Sequence, residues 1–211
     1  MVKMKELLLN PDYFFSEKSK EKVNLKIPFI IVLINGIFTA APSILLMNKV
    51  TAALPGQSSF AIVGVVLAAI SCLIGVFIGW LALSALFYII STLFYSQGSF
   101  RRTFEFVGYG FTPTILGSFV AILGIYSLVS SIGIQTQDPQ LLQQSMAQIM
   151  MNNPFVKIAQ IIGILCTLWS ANIWIFAILH ARNLSTRNAF LTIGFPVGLY
   201  VIYSSFNFLV H

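Results

Sequence analysis

Charged residues divide the chain into long apolar runs. Ile27 to Asn48, Val50 to Phe100, Phe106 to Gln137, Ile158 to Ala181 and Asn188 to His211 contain no Asp, Glu, Lys or Arg. A helix that crosses a membrane needs about 20 apolar residues, and every run reaches that length. Polar and apolar positions do not alternate as the strands of a membrane barrel require. Helices are therefore the predicted elements, because they satisfy their backbone polar groups within one segment.

Punctuation inside the runs sets the boundaries. Pro55-Gly56-Gln57-Ser58-Ser59 is a turn cluster, so the second helix is placed from Phe60 to Tyr95. At about 1.5 Å per residue it is about 54 Å long, too long for one upright span and too short for two spans and a turn. One long helix, tilted or projecting from the bilayer, is expected. Gly108, Gly110 and Pro113 interrupt the third run early. Thr112 suits an N-cap, with Pro113 at the first helical position. The predicted spans are 28–47, 60–95, 113–133, 156–180 and 188–209, with Pro196 a kink in the last.

Two surface helices are expected as well. Asn10-Pro11 signals a capped start, and Tyr13, Phe14 and Phe15 suit an anchor in the membrane interface. Asp138-Pro139 opens a Gln-rich segment in which Leu142, Met146, Ile149 and Met150 share a helical face, closed by Asn152-Asn153-Pro154.

Composition agrees. Hydrophobic residues are 57% of the chain and charged residues 9%, against about 25% charged in soluble domains. That excludes a soluble globular fold, which could not hide so much apolar surface, and a disordered chain. Two cysteines are too few for a disulfide scaffold. The first apolar run follows 26 mixed residues and is too long for a signal sequence, so it is expected to be retained. The expected fold class is all-α: a polytopic bundle of five transmembrane helices with short interfacial helices. Residues 1–26 would form an N-terminal segment and 27–211 the transmembrane domain.

The basic residues orient this bundle. Lys3, Lys5, Lys18, Lys20, Lys22 and Lys26 precede the first span, Arg101 and Arg102 follow the second, and Arg182 and Arg187 follow the fourth. These three segments share one side, leaving Lys49 and Lys157 on the other. The positive-inside rule places the N-terminus in the cytoplasm and His211 outside.

Chemical motifs are sparse. No predicted span interior carries Asp, Glu, Lys or Arg, which argues against a proton-coupled pump or an intramembrane aspartyl protease. No His-Glu-x-x-His, phosphate-binding loop or Gly-x-Ser-x-Gly elbow occurs, so no enzymatic activity, cofactor, metal or nucleic-acid partner is expected. Cys72 and Cys166 read as small packing residues, and His180 as an interfacial histidine. Gly75 and Gly79 lie on a small-residue face of the long helix, expected to pack on another span or on a second copy in a homo-oligomer. Asn35, Asn172 and Asn207 are candidates for interhelical hydrogen bonding. Ser99 can cap a short helix in which Phe100, Phe104 and Val107 share a face while Arg101, Arg102 and Glu105 point elsewhere. Ser185 can cap the fifth span. A cation at its start, Arg187, opposes the helix dipole unless an anion sits there. Arg101, Arg102, Arg182 and Arg187 are therefore the candidate contacts for anionic lipid or an acidic protein partner.

The ordered set Leu7-Leu8-Leu9-Asn10-Pro11-Asp12-Tyr13-Phe14-Phe15, then Gly98-Ser99-Phe100, Thr103, Gly108-Tyr109, Pro113, Trp174 and Leu184-Ser185 through Ala189 resembles the prokaryotic branch of the Yip-domain (Ypt-interacting protein) family. The resemblance covers nearly the whole chain. It implies a five-span membrane protein. Eukaryotic members are associated with vesicle traffic and with Rab-type GTPases through their cytoplasmic face. The long N-terminal cytoplasmic region typical of those members has no counterpart in the 26 residues before the first span, so GTPase binding is not carried over. Ala181-Arg182-Asn183 also departs from the Gly-plus-basic pattern usual before the last span. The resulting expectation is a non-enzymatic protein of the cell membrane that organises protein partners or lipids through basic cytoplasmic loops. The alternative is a small channel or transporter, which paired broken helices would favour.

Overall fold

The computed structural model describes residues 4–52, 58–131 and 153–210. Among these residues every regular element is a helix. Short α1 (Met4–Leu9) and α2 (Pro11–Ser19) lead into α3 (Lys26–Ala52) and α4 (Ser58–Thr92). The amphipathic α5 (Phe100–Tyr109) precedes α6 (Thr112–Ser131), α7 (Pro154–Arg182) and α8 (Thr186–Val210). Helices α3, α4, α6, α7 and α8 are long and apolar enough to cross a membrane. The protein is an integral, multi-pass membrane protein.

Local chemistry sets several helix starts. Asn10 Oδ1 accepts from Tyr13 N at 3.2 Å, and Pro11 follows at the first helical position. Ser99 Oγ accepts from Arg102 N at 3.3 Å, and Ser185 Oγ from Asn188 N at 3.3 Å. Asn153 Oδ1 accepts from Phe155 N and Val156 N, so Asn153-Pro154 opens α7. Thr112 is not a cap but the first residue of α6, and its hydroxyl donates back to Tyr109 O at 2.8 Å. Helix α4 is the single long helix expected, and α8 continues through Pro196. The outer amphipathic helix proposed for 138–153 lies outside the described residues, Asn153 excepted.

Around the bundle the spans follow one another as α6, α3, α4, α8 and α7, with α7 returning to α6 and the slightest contact between α4 and α8. The main core lies at the end that carries the N-terminal segment and α5. There Trp80, Ser84, Phe87 and Ser91 form a buried stripe along α4 at helical spacing. They meet Ile173, Trp174, Ala177 and Ile178 of α7 in the same core. The other half of α4 turns Val66, Leu67, Ile70, Ile74 and Ile78 outward, as lipid-facing residues do.

Four expectations are corrected. Among the described residues nothing packs on Gly75 or Gly79, since a Cβ built on either meets no atom within 4 Å. Gly64, on the same helix, does face another span, since a Cβ there would lie 2.9 Å from the end of Met47 in α3. Asn172 is exposed, whereas Asn35 is buried and bonded across helices; the side chain of Asn207 lies outside the described set. Phe14 and Phe15 do not anchor in the membrane interface. They are 2% and 0% exposed, because α2 folds onto the bundle, and only Tyr13 faces outward. Glu105 does not point away from the protein but is fully buried.

Candidate functional site: the clamped basic end

Helix α5 has five charged or polar positions among apolar ones, and it lies across the end of the bundle against α3, α4 and α7. Two tryptophans from different spans hold it. Trp80 Nε1 donates to Phe104 O at 2.9 Å and stacks on the Phe104 ring with centroids 3.8 Å apart. Trp174 Nε1 donates to Val107 O at 2.9 Å. The two indoles thus grip the backbone of α5 one turn apart, and Val107 O also accepts from Gly110 N at 3.1 Å. The Trp174 ring lies so close to the chain that a Cβ at Gly110 would come within 2.0 Å of its Nε1. Glycine is required there because the indole occupies the space a side chain would need.

The turn before α5 is fastened by Arg182. Its side chain is 2% exposed at the last turn of α7, where a cation meets the negative end of the helix dipole. Nε donates to Ser91 Oγ at 3.0 Å, Nη2 to Ser96 Oγ at 2.6 Å and Nη1 to Gly98 O. The guanidinium sits 4.1 Å from the centre of the Tyr88 ring, an arrangement worth about 2 kcal/mol when dry. Gly98 adopts φ +109°, and a Cβ there would lie 2.3 Å from Ala181 O.

The N-terminal segment is strapped to the same platform. Arg102 Nη1 donates to Glu105 Oε2 at 2.8 Å and to Lys18 O, and Nη2 donates to Glu21 O. Glu105 Oε1 accepts from Asn24 N at 3.2 Å. Burial raises the Glu105 carboxyl above the usual glutamate range, outweighing the bond from Asn24 and the charge of Arg102. Burial also pushes the Tyr109 phenol up, helped by the Glu105 carboxylate. Phe14 packs edge-on to Tyr109 at 5.2 Å and Phe15 against Phe106 at 4.8 Å. His180 Nε2 lies 2.7 Å from Asp12 Oδ1, pinning α2 to α7.

Most residues of the ordered sequence set now have a place. Ser99 caps α5, Thr103 is buried beneath it, Gly108 faces Pro28 and Trp80, and Ala189 is buried where α8 begins. Phe100 meets Tyr88 edge-on at 5.5 Å, and Pro113 opens α6 behind α5. The four arginines part ways. Arg182 is buried and Arg102 half-buried, and the guanidinium of each is bonded to groups of the chain itself. Arg101 and Arg187 are exposed, as are Lys5, Lys22 and Lys26, and among the described residues none of these pairs with a carboxylate. Helices α5 and α8 share no extended packing surface, so Arg101, Arg102 and Arg187 do not form one cluster. Sequence reasoning missed Glu105 and α1, whose Leu7 is fully buried. The signal for Glu105 was its place between Phe104 and Phe106, three residues after Arg102. Among the described residues no group of His, Cys, Asp and Glu is gathered as a metal site.

Comparison with known proteins agrees with this reading. The Yip1 domain family model matches residues 5–206. An uncharacterized protein of Methanocaldococcus jannaschii is 36% identical over 118 residues, covering 56% of this chain and 84% of that protein. No solved structure matches the chain.

Proposed function

The chain belongs to the Yip1 domain family, and from that premise we propose that it is a non-enzymatic platform protein. Its basic end faces the cytoplasm and recruits anionic lipid or an acidic protein segment, and His211 lies on the outer side of the cell membrane. The observation that carries this reading is the division of labour among the basic residues. The clamp consumes Arg102 and Arg182, while Arg101, Arg187 and Lys22 stand exposed on a rigid surface. Each exposed cation near an anionic surface is worth about 1 kcal/mol within a Debye length. Orientation follows from the excess of basic residues at this end.

The test is the variant Arg101→Gln/Arg187→Gln/Lys22→Gln, purified in mild detergent with co-purifying lipids and proteins identified by mass spectrometry. The reading expects normal insertion and loss of anionic lipid or protein, matched by the wild type in high salt. Retention of every partner at wild-type yield would leave these residues as topology signals only. A tag at His211 reached from the cytoplasm in intact cells would reverse the orientation.

A further inference from the structure

Away from the basic end, α3, α6, α7 and α8 surround a cleft of about 710 Å³ that takes no residue from α4. Its deep layer is polar. Asn35 is 6% exposed, and its Oδ1 accepts from Thr114 Oγ1 at 3.2 Å and Ser118 Oγ at 3.3 Å. Ser118 in turn lies 3.3 Å from Thr39 Oγ1. Both of these bonds go to Oδ1, and Asn35 lines the cleft, so Nδ2 is available to a molecule bound there. The deep layer is level with Cys166 of α7, because Gly117 beside Ser118 packs on Cys166. Lys157 also lines the cleft, nine residues earlier in α7, hence about 13 Å away along the helix. It pairs with no carboxylate among the described residues, and the lining contains no acid.

A lone cation at one end, an available amide donor at the other and hydroxyls between them describe a site for an anionic, oxygen-rich group. We propose that this cleft binds a phosphate ester that carries a polyol, of the phosphoglycerol class. Its phosphate meets Lys157 and an inner oxygen accepts from Asn35 Nδ2. The lining reaches Phe111, whose ring lies edge-on to Trp174, and includes none of the basic-end arginines. The site is independent of the basic-end arginines, which lie at the opposite end of the bundle.

Gly163 gives a clean test. It lines the cleft, and a Cβ there meets nothing within 4 Å, so the side chain of Gly163→Leu starts out into open space in the cleft. Binding is read in detergent by native mass spectrometry and thermal shift. The probes are dioleoyl phosphatidylglycerol, dioleoyl phosphatidylcholine and free glycerol 3-phosphate, each with the Arg101→Gln/Arg187→Gln variant so that the basic end contributes nothing. The proposal expects one phosphatidylglycerol retained per chain, lost in Gly163→Leu and weakened at least tenfold in Asn35→Leu and in Lys157→Gln. Preference for phosphatidylglycerol over glycerol 3-phosphate identifies a lipid as the source. Equal occupancy by glycerol 3-phosphate identifies a free phosphate ester. Phosphatidylcholine bound as well as phosphatidylglycerol, or undiminished binding in a folded Gly163→Leu variant, overturns the proposal.

Discussion

The two ends of this bundle obey different rules. At the basic end three short helices and a turn are bolted to the spans by two indole N–H groups, a buried arginine and a buried carboxyl. At the far end the spans part around a hydroxyl-lined cleft, and half of α4 faces outward. The basic end is built from contacts between residues far apart in the chain, so its buried Arg182 and Glu105 are each fixed by several neighbours. The far end leaves polar groups with capacity to spare. A membrane protein gains nothing from the hydrophobic effect by packing apolar helices against one another, because lipid is as apolar as leucine. Specific hydrogen bonds and close backbone approaches carry the order instead; the buried indole and guanidinium bonds lie at the basic end, while Gly117 and Gly124 bring α6 close to α7 farther along.

Substitutions can sharpen the contrast. The largest effect is expected at Gly110→Ala, where the new methyl would collide with Trp174. Melting in detergent should report a loss of about 2–3 kcal/mol, the upper part of the range for overpacking. Arg182→Met keeps the length of the side chain but strands the Ser91, Ser96 and Gly98 oxygens. A loss of about 1–3 kcal/mol is expected by the same assay, as for other bonds to charged groups. If either variant melts like the wild type, the clamp is not what holds this end together.

A pH series tests the strap. Glu105 is raised by burial, so the folded chain holds this proton more tightly than the unfolded chain does. The stability this contributes is full below the ordinary glutamate range and is lost as pH rises through the raised value. Wild-type melting temperature should therefore fall across that window, and Glu105→Gln should remove the slope. A slope that survives the substitution belongs to another group. The smallest effect is expected at the open end. Gly75→Ala and Gly79→Ala meet no neighbour, and trading glycine for alanine within a helix is worth about 0.5–1 kcal/mol in favour of alanine. A large loss in either variant would mean that this face is covered in solution by a second copy.

The spans and caps were legible in the sequence because they rest on local physics. Apolar length marks a crossing helix wherever it packs, and Asn10, Ser99 and Ser185 bond backbone groups within three residues. The fate of the charged residues was not legible. Whether an arginine faces a headgroup or a serine depends on partners such as Ser91, which lies 91 positions from Arg182 in the chain. Likewise, Phe14 and Phe15 have the composition of an interfacial anchor, and only the proximity of Tyr109 and Phe106 turns them inward. Asn35 was singled out correctly as an interhelical hydrogen-bonding residue, but its spare donor shows only against the cleft.

The central claim is that α5 is an integral, clamped part of the bundle and not a helix resting on the membrane surface. Hydrogen–deuterium exchange in lipid nanodiscs tests it most directly, because protection reports the free energy of local opening. The account predicts that amides from Thr103 to Gly110 exchange as slowly as those around Trp174 in α7, and that Trp174→Phe accelerates α5 selectively. Exchange of α5 within seconds in the wild type, with α7 still protected, would contradict it.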